Sequence, residues 1–234
     1  MLPNFETVSN IFDKYEIKLN KRQYDQLCIY ADFLVEYNKN VNLTAITDPV
    51  EILYKHFIDS ILLTKYVDFS KKSAIIDVGT GAGFPSVPIK IFYPDIKITL
   101  LDSLNKRITF LKNLGQKIEI DAEFIHGRAE IIGRMPEYRE KFDISCARAV
   151  ANMSLLSEYC LPFVKVGGIF AAMKGPSENI NASLNAVDLL GGRFENDFSY
   201  EIESEKRKIV IVRKVSQTST SFPRNSSQIK KKPL

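Results

Sequence analysis

The stretch Ile75-Ile76-Asp77-Val78-Gly79-Thr80-Gly81-Ala82-Gly83-Phe84-Pro85 constrains this chain more than any other. A short apolar run ends in glycines at alternate positions, and an apolar helical pattern over Val87–Phe92 follows. Glycine reaches positive φ without a side-chain clash and lets a ligand come close to the backbone. A strand that runs into such a turn and then into a helix opens a sheet built with crossover helices, whose ligand crevice lies beyond the carboxyl ends of the strands. A dinucleotide-binding turn of the form G-x-G-x-x-G would put its third glycine at position 84, where this chain has Phe84.

The rest of the chain supplies the other layers. Ile96–Leu101, Ala122–Ile125, Phe142–Ala147 and Gly168–Met173 read as strands after Ser73–Val78, with helical patterns at Leu104–Leu114, Ala129–Ile132 and Met153–Val164 between them. This alternation predicts an α/β fold with a doubly wound, mostly parallel sheet. A helix near Ser177–Leu190 comes next, and Arg193–Ile202 with Arg207–Val212 read as a closing antiparallel pair. Upstream, Ile29, Phe33, Leu34 and Tyr37, and then Ile52, Leu53, His56 and Phe57, recur at helical spacing. Asp48 is placed to cap a helix that begins at Pro49 and has Glu51 in its first turn. Three parts are expected: an N-terminal helical segment 1–70 packed on the core, a cofactor-binding core 71–215, and a basic tail 216–234. Ser, Thr, Gln, Asn and Pro dominate the tail, which predicts a flexible segment.

Charge is uneven. The formal net charge is +4, yet Arg213, Lys214, Arg224, Lys230, Lys231 and Lys232 face no acid between 213 and 234, so the remainder is slightly acidic. Such a tail fits a polyanionic partner such as nucleic acid, or a merely solubilising role. Cys28, Cys146 and Cys160 are odd in number and widely spaced, which argues against a disulfide framework or a zinc site and for a reducing cytoplasm. No signal peptide, membrane span or metal is expected.

Several side chains near the predicted strand ends are candidates. Asp102 ends the second strand, where a carboxylate can accept from ribose hydroxyls or cap the following helix. Arg148 ends the fourth strand, where a guanidinium can hold a carboxylate or phosphate, or sit in a surface ion pair. His56 and Asp59 share a helical face and, with Asn42, could position a substrate; a structural core histidine is the alternative. His126 reads as structural. Cys146 could be a nucleophile for ring activation, or ordinary packing at a strand end.

With these residues in view, the G-x-G-x-G loop of Gly79, Gly81 and Gly83 resembles the S-adenosylmethionine-binding loop of class I, Rossmann-like methyltransferases. The resemblance sharpens with Asn42-Leu43-Thr44-Ala45-Ile46, His56-Phe57-Ile58-Asp59-Ser60, Leu101-Asp102-Ser103 with Lys106-Arg107, Gly127-Arg128-Ala129-Glu130, Ala147-Arg148-Ala149 and Lys174-Gly175. In that order over residues 42–175, the chain is similar to the bacterial 16S ribosomal RNA guanine-N7 methyltransferases of the glucose-inhibited division protein B family. The resemblance implies methyl transfer from S-adenosyl-L-methionine to N7 of a guanine in small-subunit ribosomal RNA, giving 7-methylguanosine. It also implies cofactor contacts at Gly79, Phe84, Ala129, Glu130 and Arg148. The chain departs from the family at Gln116–Glu123, which looks longer than usual, and in the tail. A monomer acting in the cytoplasm on RNA or on a small-subunit particle is expected. N7 carries a lone pair, so no essential catalytic base is expected, and orientation alone would carry the reaction. A non-catalytic RNA-binding protein and a small-molecule methyltransferase are the rival readings.

Overall fold

The computed structural model describes residues 1–69, 73–148 and 151–234. The expected boundary at 70/71 and Ala149 of the Arg148 motif lie outside the described residues.

Seven strands form one sheet in the order β3-β2-β1-β4-β5-β7-β6. β1 (Ala74–Val78), β2 (Lys97–Asp102), β3 (Glu123–His126), β4 (Phe142–Arg148) and β5 (Val164–Lys174) are parallel. β7 (Glu205–Lys214) runs antiparallel to β5 and to β6 (Gly192–Ile202). The chain moves outward from β1 to β3, then returns to β4 on the other side of β1. The loops after β1 and β4 therefore diverge, and a crevice opens between them at the strands' carboxyl ends.

Helices cover both faces. α1 (Phe5–Lys14), α2 (Lys21–Asn38), α5 (Ser86–Phe92) and α6 (Asn105–Lys117) belong to one apolar cluster with β1 and β2. α7 (Ala129–Ile132), α8 (Met153–Cys160) and α9 (Leu184–Leu189) pack on the other face around Phe163, Phe170 and Val210. The helix expected over Met153–Val164 ends early, because Pro162 lies in a tight turn over Leu161–Phe163 and β5 begins at Val164. The helix expected over Ser177–Leu190 shrinks to a single turn at Asn181–Ser183 and α9.

Two N-terminal details position the site. In α2 the buried stripe is Leu27, Tyr30, Ala31 and Leu34, while Phe33 and Tyr37 lie against Phe110 with ring centroids 5.3 and 5.2 Å away. Ile29, expected on that stripe, is exposed, since two residues from both Leu27 and Ala31 it points away from their face. Asp48 caps α3 (Pro49–Ile52), accepting from the Val50 and Glu51 amides at 2.9 and 3.0 Å. The helix then widens into a π-helical stretch over Leu53–Ile58 before α4 (Asp59–Leu62).

The tail is packed, where sequence composition predicts flexibility. Arg139 donates to the Thr218 and Phe222 carbonyls at 2.6 and 2.9 Å, and Arg134 to that of Pro223 at 2.7 Å. Arg224 grips the Glu158 carboxylate through Nε and Nη2, with bonds of 2.9 and 2.6 Å. The tail ends in α10 (Ser226–Lys231), whose Ile229 is buried against the α8 face. The partners that hold this segment, Arg134, Arg139, Glu140 and Glu158, lie 66 or more residues upstream, which hides them from a local pattern. Arg213 and Lys214 are also paired, with Glu195 and Glu140, so Lys230–Lys232 carry the exposed charge.

Candidate active site

β1 ends in a loop stitched to β2. The Gly79 and Thr80 amides donate to the Leu101 carbonyl at 2.8 and 3.1 Å, and the Gly81 amide donates to Asp102 Oδ2 at 3.0 Å. From below, Asp77 Oδ2 accepts from Thr80 Oγ1 at 3.0 Å. Asp77 is fully buried and its Oδ1 has no hydrogen-bond partner among the described residues, so burial pushes its carboxyl up to about 7 despite the Thr80 and Ser86 bonds.

The three glycines do different jobs. Gly81 adopts φ +61°, and a Cβ there would meet only Gly79 O at 4.0 Å, so its open side faces the crevice. Gly79, also at positive φ, lines the same crevice. Gly83 does not: a Cβ would collide with Val87 Cγ2 at 2.7 Å and Tyr30 Oη at 2.8 Å. Its expected ligand contact gives way to a packing role, because α2 crosses the loop at that point and Tyr30 donates to the Ala82 carbonyl.

The crevice has three joined compartments. The first, about 380 Å³, lies between the ends of β1, β2 and β3 and is lined by Gly79, Asp102, Ala129, Glu130, Tyr159 and Lys230 among others. Asp102 is only 3% exposed, and its carboxylate also accepts from the Leu104 amide at 2.9 Å and from Arg107 at 3.2 Å. It therefore ties the loop to the turn before α6; the alternative of a helix cap is not met, since Leu104 holds the cap position and no side chain caps the helix. Glu130 is held by Arg128 Nε at 2.6 Å. The middle compartment, about 440 Å³, runs over Gly81 and Phe84 to Thr44, His56 and Arg148.

The third, about 380 Å³, is rich in charge: Lys55, Asp59, Arg148, Lys174, Glu178, Tyr200 and Arg207 line it. Arg148 is central to this end. Its guanidinium carbon stands 4.8 Å from the centroid of the Phe84 ring. Nη1 donates to Asp59 Oδ2 at 3.0 Å and to the Lys55 carbonyl at 3.1 Å. The π-helical stretch makes this possible: the Asp59 amide reaches the Tyr54 carbonyl, five residues back, where an α-helix would use that of Lys55. Tyr200 on β6 donates to the other Asp59 oxygen at 2.7 Å. Arg148 is thus in an ion pair, but a mostly buried one and not the surface pair given as the alternative, with the arginine side chain 15% exposed and Asp59 5%.

His56 lies 4.4 Å from the Phe84 ring and contacts Arg148 Nη2 through Nδ1 at 3.2 Å and Thr44 Oγ1 through Nε2 at 2.8 Å. Arginine can only donate, so Nδ1 accepts and the proton sits on Nε2, facing Thr44. The Lys55 carbonyl 3.1 Å from Nδ1 is then a close neighbour without a hydrogen. Burial, and next the Arg148 charge, lower the imidazole to about 3, so it is neutral. His56 and Asp59 meet as their spacing predicts, but Asn42 is exposed and lines no compartment of the crevice. Asn38 shapes that loop instead, accepting the Leu43 and Thr44 amides at 2.8 and 3.0 Å. Tyr30, Asn38, Tyr200 and Arg207 escape sequence reasoning, since nothing local marks an ordinary helix or strand residue as a site member, and Thr44 enters it only as part of a motif. Cys146 is sealed beneath the loop at 0% exposure, 3.3 Å from Ser86 Oγ, and burial pushes its thiol well up. It is packing, and no nucleophile for the crevice.

The fold matches solved methyltransferases. An S-adenosylmethionine-dependent methyltransferase from Aquifex aeolicus superposes with TM-score 0.52 at 16% identity, over 70% of this chain and 93% of that one. TYW2 of P. horikoshii, in complex with MeSAdo, gives 0.52 at 15% identity over 68% and 62%. Among sequences, the ribosomal RNA small subunit methyltransferase G of Bacillus subtilis is 45% identical over 99% of both chains. That of Clostridium kluyveri is 45% identical over 98% of both, and that of Acetivibrio thermocellus 47% over 94% of this chain and 92% of its own. The family described as "GidB: rRNA small subunit methyltransferase G" matches residues 23–210, and with these relatives it makes this chain a member of the rRNA small subunit methyltransferase G family.

Proposed function

We infer that this chain is an S-adenosylmethionine-dependent methyltransferase that acts on N7 of a guanine in small-subunit ribosomal RNA. The observation that carries the cofactor half is the open face of Gly81 beside Asp102 at the sheet's switch point. The family supports the RNA half. When bound, S-adenosylmethionine supplies an activated sulfonium methyl. The residues fit it: Asp102 and the Gly79 and Gly81 backbone would hold the adenosine portion, and Ala129 and Glu130 would flank the base. Phe84, His56 and Arg148 form the floor toward the charged compartment, where Lys55, Lys174 and Arg207 are held in ion pairs with Glu205 and Glu178.

The chemistry asked of these side chains is orientation. Both His56 nitrogens are engaged and its low basicity makes it a poor proton acceptor at neutral pH. Guanine N7 needs no base, since its lone pair is available without loss of a proton. Holding that lone pair in line with the methyl is a proximity effect, which can contribute several kcal/mol.

The test is nucleoside analysis of small-subunit RNA, naked and in particles, incubated with labelled S-adenosylmethionine and the protein. 7-Methylguanosine is expected from wild type and from Cys146→Ala at comparable rates. A 5-methylcytidine product that disappears in Cys146→Ala would overturn the assignment. A cytoplasmic monomer is the expected working form, to be checked by sedimentation; among the described residues no helix is long and apolar enough to cross a membrane.

A further inference from the structure

We propose that the C-terminal helix α10 is a wall of the adenosine compartment and that Lys230 is a cofactor-binding residue, contacting the purine ring. The proposal rests on the reading of that compartment as the adenosine site. Lys230 lines it together with Gly79, Asp102, Ala129, Glu130 and Tyr159.

The helix is held there from three directions. Arg224, two residues before it begins, makes its two-pronged bond to Glu158, a carboxylate with no solvent exposure. An acid buried so deeply is strongly destabilising without its cation, so the pair acts as an obligatory anchor. Ser226, in the first turn, accepts from Arg128, whose Nε holds Glu130. Ile229 is buried against the α8 face, and the next residue, Lys230, lines the compartment. Arg128 therefore bridges the tail and the loop after β3: one guanidinium touches both the acid expected to flank the base and the helix facing it.

The chemistry matches a purine. Adenine presents ring nitrogens that accept hydrogen bonds, and an ammonium offers three donors. Lys230 differs in this from Lys231 and Lys232, which line no compartment of the crevice. The tail's basic charge thus divides into one cation for the cofactor and others for solvent or RNA.

The test uses calorimetry with S-adenosylhomocysteine and with 5′-methylthioadenosine, which keeps only the adenosine half. Two variants are compared with the full chain: Lys230→Met, and a chain ending at Arg224, which loses α10 but keeps the Glu158 anchor. Thermal melting without ligand checks that each variant folds. Lys230→Met should weaken both ligands by the same factor, about tenfold, the size expected for one charge-assisted hydrogen bond. The shortened chain should lose at least as much. Wild-type affinity in Lys230→Met overturns the role of Lys230, and wild-type affinity in both variants overturns the wall. So does a loss confined to RNA affinity at saturating S-adenosylhomocysteine, which would give the tail to RNA. If the full chain itself binds neither ligand, the adenosine site falls, and this proposal with it.

Discussion

The two ends of the crevice are built from different material. The end proposed for adenosine is mostly backbone: Gly79, Thr80 and Gly81 amides, the Leu101 carbonyl, and one carboxylate, Asp102, that ties them together. The Arg148 end is mostly side chains, drawn from the π-helical stretch, β4 and β6 and meeting on Asp59. Backbone geometry is set locally by glycines and strand ends, so a single change there acts sterically on the ligand. A network of charges is set by burial, so a change there acts first on stability. The comparison teaches that damage to the two ends should separate: loss of binding with the fold kept at one, loss of fold stability at the other.

Arg148→Ala should have the largest effect. It leaves Asp59 buried with Tyr200 as its remaining side-chain partner, and breaking such a pair costs about 3–5 kcal/mol. Calorimetric melting should show a drop of roughly 10 °C. Asp59→Asn in the same chain should recover a good part of it. Equal melting of the single and double variants would mean that Arg148 is not held by Asp59, and would break the contrast.

Gly81→Val comes next, and it probes the other end. Positive φ costs a β-branched residue about 1–3 kcal/mol, less than the Arg148 loss. The new methyls enter the crevice, so S-adenosylhomocysteine binding should fall by about a hundredfold or more, or roughly 2.7 kcal/mol. Near-normal affinity by titration would remove the ligand from this loop.

The smallest effect is the pH dependence that His56 brings by pH 5. His56 is lowered from 6.5 to about 3, so the folded state stays neutral while the unfolded state takes up a proton. Its contribution is fully present above pH 6.5 and is lost as pH falls toward 3. By pH 5 the loss is about 2 kcal/mol, from the cost per pH unit of a proton bound only when unfolded. His56→Gln should lack that part of the acid limb in denaturant titrations. Asp77 works in the opposite sense: its carboxyl, raised to about 7, weakens the fold as pH rises from about 4 to 7, and Asp77→Asn should remove that decline. Parallel pH profiles for wild type and His56→Gln would show that burial of the imidazole carries no such cost.

Much of this was legible along the chain. Apolar runs and their spacing mark β1 to β5 and α5 to α7, because strand and helix periodicities are local properties. That the loop, Asp102, Ala129, Glu130 and Arg148 line the crevice follows for the same reason: each closes a strand or opens a helix, and strand ends meet the crevice. Gly83 and Asn42 were misplaced because spacing says that a residue is near a loop, not which way it faces. Tertiary packing turned one toward Tyr30 and the other into solvent.

The sequence by itself determined the strands, the helices between them and the glycine turn, since periodicity and turn residues are local, whereas the pairing that makes the switch point joins distant residues such as Ile75 and Ile144. Only the tertiary structure decided that Tyr200 would reach Asp59 across 141 positions, that a π-helical stretch would present the Lys55 carbonyl to Arg148, and that the tail would fold back on Glu158. These depend on which charges are buried together. A buried charge finds its partner wherever the fold brings one, at a sequence distance that no local pattern records.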